Sequence, residues 1–237
     1  NETGNMWTHL LGFGYFAAIG AQLCVRIAAP EERETAMEAA WVLALVVATA
    51  FCLLCSFSYH LCSCTGRCVR ECTYRMDLSG IVVLIAASYF TGIGLGYRCA
   101  PGLRNFYLLY SACVALALAV PLLKPKIGID YDMTRHFVVC AVLGLVPAAH
   151  FVCISPPEDI AVVVPHLACM FGCYGAGAWF FVVRWPERRW PGRFDLLGHS
   201  HQVWHMFVLL AALSWVRGCF AMLENFGGVA CAEAGQP

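Results

Sequence analysis

The sequence is poor in charge. Asp, Glu, Lys and Arg make up 13% of its 237 residues, split evenly into 15 acidic and 15 basic. An even balance offers no basic face to a nucleic acid and no acidic tail, so no nucleic-acid partner is expected. The few charges are also unevenly placed. None falls in 3–25, 39–66, 78–97, 105–123, 136–157, 160–183 or 196–216, stretches that together hold 157 residues. With 60% hydrophobic residues and a mean hydropathy of +0.69, this distribution excludes an ordinary soluble domain. The chain also lacks an internal repeat of the kind that builds two-halved transporters. It opens on Asn1 rather than Met, almost at the start of the first apolar stretch, which leads us to expect a preceding segment. That stretch has no basic leader and is too long for the apolar region of a signal peptide, so it reads as a retained helix.

A helix needs about 20 apolar residues to cross the hydrocarbon core, whereas a barrel strand needs about 10 in strict alternation. The seven stretches run from 19 to 28 residues and do not alternate. They predict an all-α membrane protein, a seven-transmembrane helix bundle forming one domain over residues 1–237. The spans are placed at roughly 6–25, 39–61, 78–97, 105–123, 136–154, 160–183 and 199–216. Pro147 and Pro165 fall inside spans five and six, as tolerated membrane prolines that could kink them. Gly92, Gly94 and Gly96, and Gly172 with Ala176, have the spacing of close helix contacts.

Basic residues give the orientation. The second, fourth and sixth connections carry ten of them: Arg67, Arg70, Arg75, Lys124, Lys126, Arg135, Arg184, Arg188, Arg189 and Arg193. The odd connections and the tail carry five, Arg26, Arg33, Arg98, Arg104 and Arg217. The positive-inside rule then puts the N-terminus in the cytoplasm and the C-terminus outside or in a lumen. The protein is expected to be a multi-pass integral membrane protein of the plasma membrane or an endomembrane.

Polar groups at membrane depth are costly and mark functional candidates. His201 and His205 are four apart at the start of span seven and share a helix face; Ser56 and His60 have the same spacing at the end of span two, and Asp77 opens span three. Span two ends, and spans three and seven begin, on the side of the N-terminus, so the three groups lie at one depth. Three imidazoles and a carboxylate converging there fit a catalytic zinc site with three protein ligands and an open fourth position. Asp77 would hold or deprotonate the water at that position, and Ser56 would hydrogen-bond nearby. The alternative is a zinc that only staples helices. His9, His136, His150 and His166 are isolated in sequence and are assigned to packing or hydrogen bonding.

The segments Glu2-Thr3-Gly4-Asn5-Met6-Trp7-Thr8-His9, Ser56-x-x-x-His60, Met76-Asp77-Leu78-Ser79-Gly80-Ile81, Pro186-Glu187-Arg188, Gly192-Arg193-Phe194-Asp195 and Gly198-His199-Ser200-His201-Gln202-Val203-Trp204-His205 together resemble the progestin and adipoQ receptor family. This family contains the adiponectin receptors and is related to haemolysin III. The resemblance implies a zinc ion held by His60, His201 and His205, with Asp77 contacting the water on it. It also implies ceramidase-like hydrolysis of a lipid amide. Cys62, Cys64, Cys68 and Cys72 in the second connection depart from the family pattern; they suit a second metal or palmitate, or remain reduced. Cys99, Cys219 and Cys231 near the outer side leave room for one disulfide.

Two functions follow. One is an intramembrane zinc hydrolase acting on a fatty-acid or ceramide-like membrane lipid and linked to lipid signalling. The other is a non-catalytic receptor or sensor with structural zinc, which needs an outer surface for a ligand, such as a protein ligand, and a cytoplasmic partner. The short outer connections 98–104 and 154–159 give a protein hormone little to grip.

Overall fold

The computed structural model describes residues 2–28, 36–123, 133–226 and 231. Eight α-helices build the described chain: α1 (Thr3–Ala28), α2 (Ala36–Cys62), α3 (Arg67–Gly96), α4 (Pro101–Ala119, continued by a 3-10 turn Val120–Leu123), α5 (Thr134–Leu143), α6 (Leu145–Ile154), α7 (Pro157–Val183) and α8 (Ser200–Phe226). They amount to seven helices long and apolar enough to cross a membrane, α5 and α6 together forming the fifth.

The helices outrun the charge-free stretches because a helix continues into the polar interface. α3 begins ten residues before Asp77, its first turns carrying Arg67, Arg70, Glu71 and Arg75; Asp77 therefore sits inside this helix rather than at its start. Likewise α8 carries Arg217 and Glu224 as exposed residues of its last turns before ending at Phe226.

α8 lies at the centre: α7 packs along it, and α1, α2 and α3 each touch it, while α2 pairs with α1 and α3. Small residues set the closest approaches. A Cβ at Gly80 would lie 2.9 Å from the Cys52 Cα on α2, at Gly92 2.8 Å from Trp215, and at Gly94 2.9 Å from Trp41. Gly96 abuts Phe151. Gly172 is different, for nothing lies within 4 Å of its Cβ position, so the packing role expected of it is not found. Leu109, Leu116 and Val182 are each more than 60% exposed, as a hydrocarbon solvent permits.

Pro147 breaks the fifth span. Without its N–H, the Leu143 carbonyl four residues earlier loses its helical partner, the helix is interrupted at Gly144, and the Tyr110 hydroxyl donates to that carbonyl at 3.1 Å. Tyr97 likewise donates to the Pro147 carbonyl at 2.6 Å. Pro165 leaves α7 unbroken. Between α3, the broken span, α7 and α8 lies a mostly apolar, partly open pocket of about 110 Å3, walled by Tyr89, Gly92, Tyr97, Pro147, Met170 and Trp215 among others.

Candidate metal centre

Each candidate ligand is delivered by a helix end. His60 lies in the last turn of α2, one turn beyond Ser56, and both are buried. His201 and His205 occupy the first two turns of α8. The start of α8 is fixed by the preceding loop, where one carboxylate oxygen of Glu187 accepts the Ser200 backbone N–H at 2.8 Å and the other accepts the Ser200 hydroxyl. This serves as an N-cap supplied from the preceding loop. Burial raises the Glu187 carboxyl, but the Ser200 hydrogen bonds and the neighbouring His199 together hold it below the usual carboxylate value. The same turn is braced by Gln202, which accepts the Gly198 N–H at 2.7 Å and donates to the Leu196 carbonyl at 3.1 Å. Gly198 has φ +81, a conformation natural only to glycine.

These ends bring three imidazoles together. One ligand nitrogen from each of His60, His201 and His205 lies within 4.8 Å of the others, with His60 Nε2 and His201 Nε2 3.4 Å apart. Two nitrogens bound tetrahedrally at about 2.0–2.1 Å from zinc are separated by about 3.3–3.4 Å. The pair thus already has the spacing zinc imposes. The Nδ1 of His205 is buried and has no hydrogen-bond partner. Neutral nitrogens facing one another at this distance repel unless a proton or a cation lies between them, so the donor set fits a metal ion.

Asp77 stands beside this group, partly buried, with Ser56 as its hydrogen-bond partner and His60 within electrostatic range. It is not a member of the three-histidine group. Ser56 thus meets the carboxylate.

α1 completes the wall. Glu2 Oε2 lies 2.7 Å from His60 Nδ1 and accepts a second hydrogen bond from Asn5 Nδ2, also at 2.7 Å. The bond with His60, outweighing the cost of burial, holds the Glu2 carboxyl down at about 2. One turn further on, the buried His9 stacks on His205 with ring centroids 3.8 Å apart and planes 12° apart. His9, read from sequence as isolated, is thus part of the site. Glu2, Asn5 and His9 stand at i, i+3 and i+7 on one stripe of an apolar helix, a signal that treating each polar residue singly overlooks. His150 hydrogen-bonds Tyr107 at 2.7 Å on the opposite side of the bundle, and the side chain of His166 packs against Gly218.

Cys64, Cys68 and Cys72 are free and exposed, and Cys62 is free and half-buried; among the described residues they form no metal-sized group. Cys99 and Cys231 are joined in a disulfide, while Cys219 is buried and unpaired.

A family model described as Haemolysin-III related matches residues 1–216. Heptahelical transmembrane protein 1 of Arabidopsis thaliana is 31% identical over 241 residues, covering 98% of this chain and 72% of that protein. Progestin and adipoQ receptor family member 3 of Homo sapiens is 30% identical over 236 residues, covering 94% and 74%. The heptahelical transmembrane protein ADIPOR1 of Oryza sativa subsp. japonica is 34% identical over 185 residues, covering 76% and 49%.

Proposed function

The chain belongs to the Haemolysin-III related family of membrane proteins, alongside heptahelical and progestin and adipoQ receptor proteins, and we propose that it is a zinc-dependent hydrolase of a ceramide-like lipid amide. The observation that carries this reading is the triangle of His60, His201 and His205, two of whose nitrogens are already at the tetrahedral spacing, with a carboxylate beside it that is not one of the three. A zinc that merely staples helices needs no such carboxylate.

His60, His201 and His205 would hold the ion. When bound, zinc supplies a Lewis acid and an acidified water. The remaining work falls to the chain. Asp77 takes the proton of the nucleophile and returns it to the leaving amine. Ser56, hydrogen-bonded to Asp77, fixes the orientation of that carboxylate from the α2 side. The apolar pocket gives an acyl chain a place inside the bundle. Its wall begins at Ile85, eight residues and so about 12 Å along α3 from Asp77. A chain lying there would bring a polar head towards the site and keep bulk water away from it.

The site lies at the ends of spans two and seven that face the N-terminal side. The excess of basic residues on that side supports a cytoplasmic location for it. The Cys99–Cys231 disulfide, which joins the region after α3 to the region after α8 at the other end of the bundle, supports an oxidising environment there.

The test is release of fatty acid from a short-chain fluorescent ceramide by purified, zinc-loaded protein in detergent, against the same protein stripped with a chelator. Turnover that requires zinc supports the reading. Zinc bound at one per chain with no turnover of any amide lipid would leave a structural ion in a receptor.

A further inference from the structure

We propose that Glu2 is the positioning residue of this metal centre, a carboxylate that sets which nitrogen of His60 faces the ion. The inference rests on the reading of His60, His201 and His205 as metal ligands. It concerns a residue outside that set and outside the hydrolytic pair Asp77 and Ser56.

A neutral imidazole carries one hydrogen, on Nδ1 or on Nε2, and only the bare nitrogen can bind a metal. Nothing in the ring itself decides firmly between the two. In His60 the choice is made by what lies at each edge. The Nε2 edge faces His201 Nε2 at 3.4 Å, and the Nδ1 edge faces Glu2 Oε2 at 2.7 Å. An ionised carboxylate only accepts, so the hydrogen belongs on Nδ1 and the lone pair on Nε2 points into the cluster. Because Glu2 meets the far edge of the ring, it cannot share an ion with Nε2, which excludes it as a fourth ligand. Its place is that of the carboxylate in a carboxylate–histidine–zinc arrangement.

The carboxylate is held as well. Asn5 Nδ2 donates to the same Oε2 at 2.7 Å, and Asn5 is wholly buried in the first turn of α1, so the oxygen meeting His60 is pinned from the helix side. The contact spans 58 residues of sequence and makes the start of α1 part of the metal centre. His205 is treated differently: its Nδ1 has no partner, and the ring is held by its face, flat against His9. One ligand is thus oriented through a hydrogen bond and another through stacking, both from α1.

The experiment measures zinc affinity of the full chain in detergent by competition with a chromophoric chelator, for wild type, Glu2→Gln and Glu2→Ala. Loss of such a partner weakens metal binding by about 10- to 100-fold. Glu2→Ala should fall in that range, and Glu2→Gln, which keeps one neutral acceptor, should lie between it and wild type. Cobalt substituted for zinc gives a second reading, its visible absorption shifting in Glu2→Gln relative to wild type. The melting temperature of the zinc-free proteins guards against a purely structural role: if it falls while zinc affinity and the cobalt spectrum stay at wild type, the proposal is overturned. Equal affinity in all three overturns it also, with the metal reading intact. A wild-type protein that takes up no zinc overturns the metal reading and this inference together. Should Glu2→Ala fail to fold, Glu2→Gln alone decides by the same affinity and spectrum.

Discussion

Replacing Glu187 by Ala removes the lock at the start of the helix that bears two of the three histidines. Two hydrogen bonds disappear, one from the Ser200 N–H and one from the Ser200 hydroxyl. Bonds to an ionised acceptor contribute about 1.5–3 kcal/mol each where buried. Glu187 is only half-buried, so water replaces part of the loss, and the scale for a lost N-cap, about 0.5–2 kcal/mol, applies. Taking about 2 kcal/mol, and about 2–4 °C per kcal/mol for a chain of this size, the melting temperature should drop by about 4–8 °C. Ser200→Ala, which removes only the hydroxyl bond, should lose roughly half as much. The assay is thermal unfolding of zinc-loaded protein in one detergent, with zinc content measured on the same samples, since Ser200 immediately precedes His201. pH provides a second check. The Glu187 carboxyl is held below its ordinary value of 4.5. Its stabilisation is therefore complete above that pH and is lost as pH falls through the lower folded-state value. The difference between wild type and Glu187→Gln, full at neutral pH, should shrink as pH falls below 4.5. A Glu187→Ala protein that melts with wild type at neutral pH would refute the capping argument.

Three further outcomes are expected. Ala at His60, His201 or His205 should strip the zinc and with it the stabilisation that a ligand of the folded state confers, about 4 kcal/mol when free zinc is a thousandfold above Kd; elemental analysis and a melt in the presence of zinc check both. Gly80→Val should cost about 1–3 kcal/mol by overpacking, because its Cβ would lie 2.9 Å from the Cys52 backbone. By parting α2 from α3 it should also separate Ser56 from Asp77 and lower any turnover more than zinc content. Tags at the two ends in sealed right-side-out vesicles should be protected at the N-terminus and cleaved at the C-terminus, and the opposite pattern would contradict the orientation.

Much of this was legible in the sequence for a simple physical reason: hydrocarbon tolerates almost no charge, so where charges are missing the helices are visible. The ends were less legible, since Arg67 to Arg75 at the start of α3 are compatible with helix or loop once the chain is in the interface. His60, His201, His205, Asp77 and Ser56 could be brought to one depth by counting spans, because i, i+4 spacing and span parity are one-dimensional facts. Glu2 and His9, at the start of span one, share that depth by the same count, but their partners lie on α2 and α8, and only the packing of α1 against both determines that one meets His60 and the other His205. Glu187 escaped for a related reason. A cap supplied thirteen residues before its helix leaves no local signature, unlike a Ser or Asp at the cap itself. Pro147 reads from sequence as a tolerated proline that could kink its span, which does not distinguish it from Pro165; the break at Gly144, and the hold of Tyr110 on the freed carbonyl, depend on what packs around it.

The claim at the centre is that Asp77 is a base and not a brace, and Asp77→Asn tests it. Asn keeps the size and a hydrogen bond, and Asp77 lies outside the three-histidine group, so the variant should keep its zinc and its melting temperature. In zinc-replete protein, fatty-acid release from ceramide should fall by about 100-fold or more, the scale for loss of a general base. Wild type and Asp77→Asn releasing fatty acid at the same rate, no faster than a variant lacking the histidines, would contradict catalysis at this site and leave the zinc a structural part of a receptor.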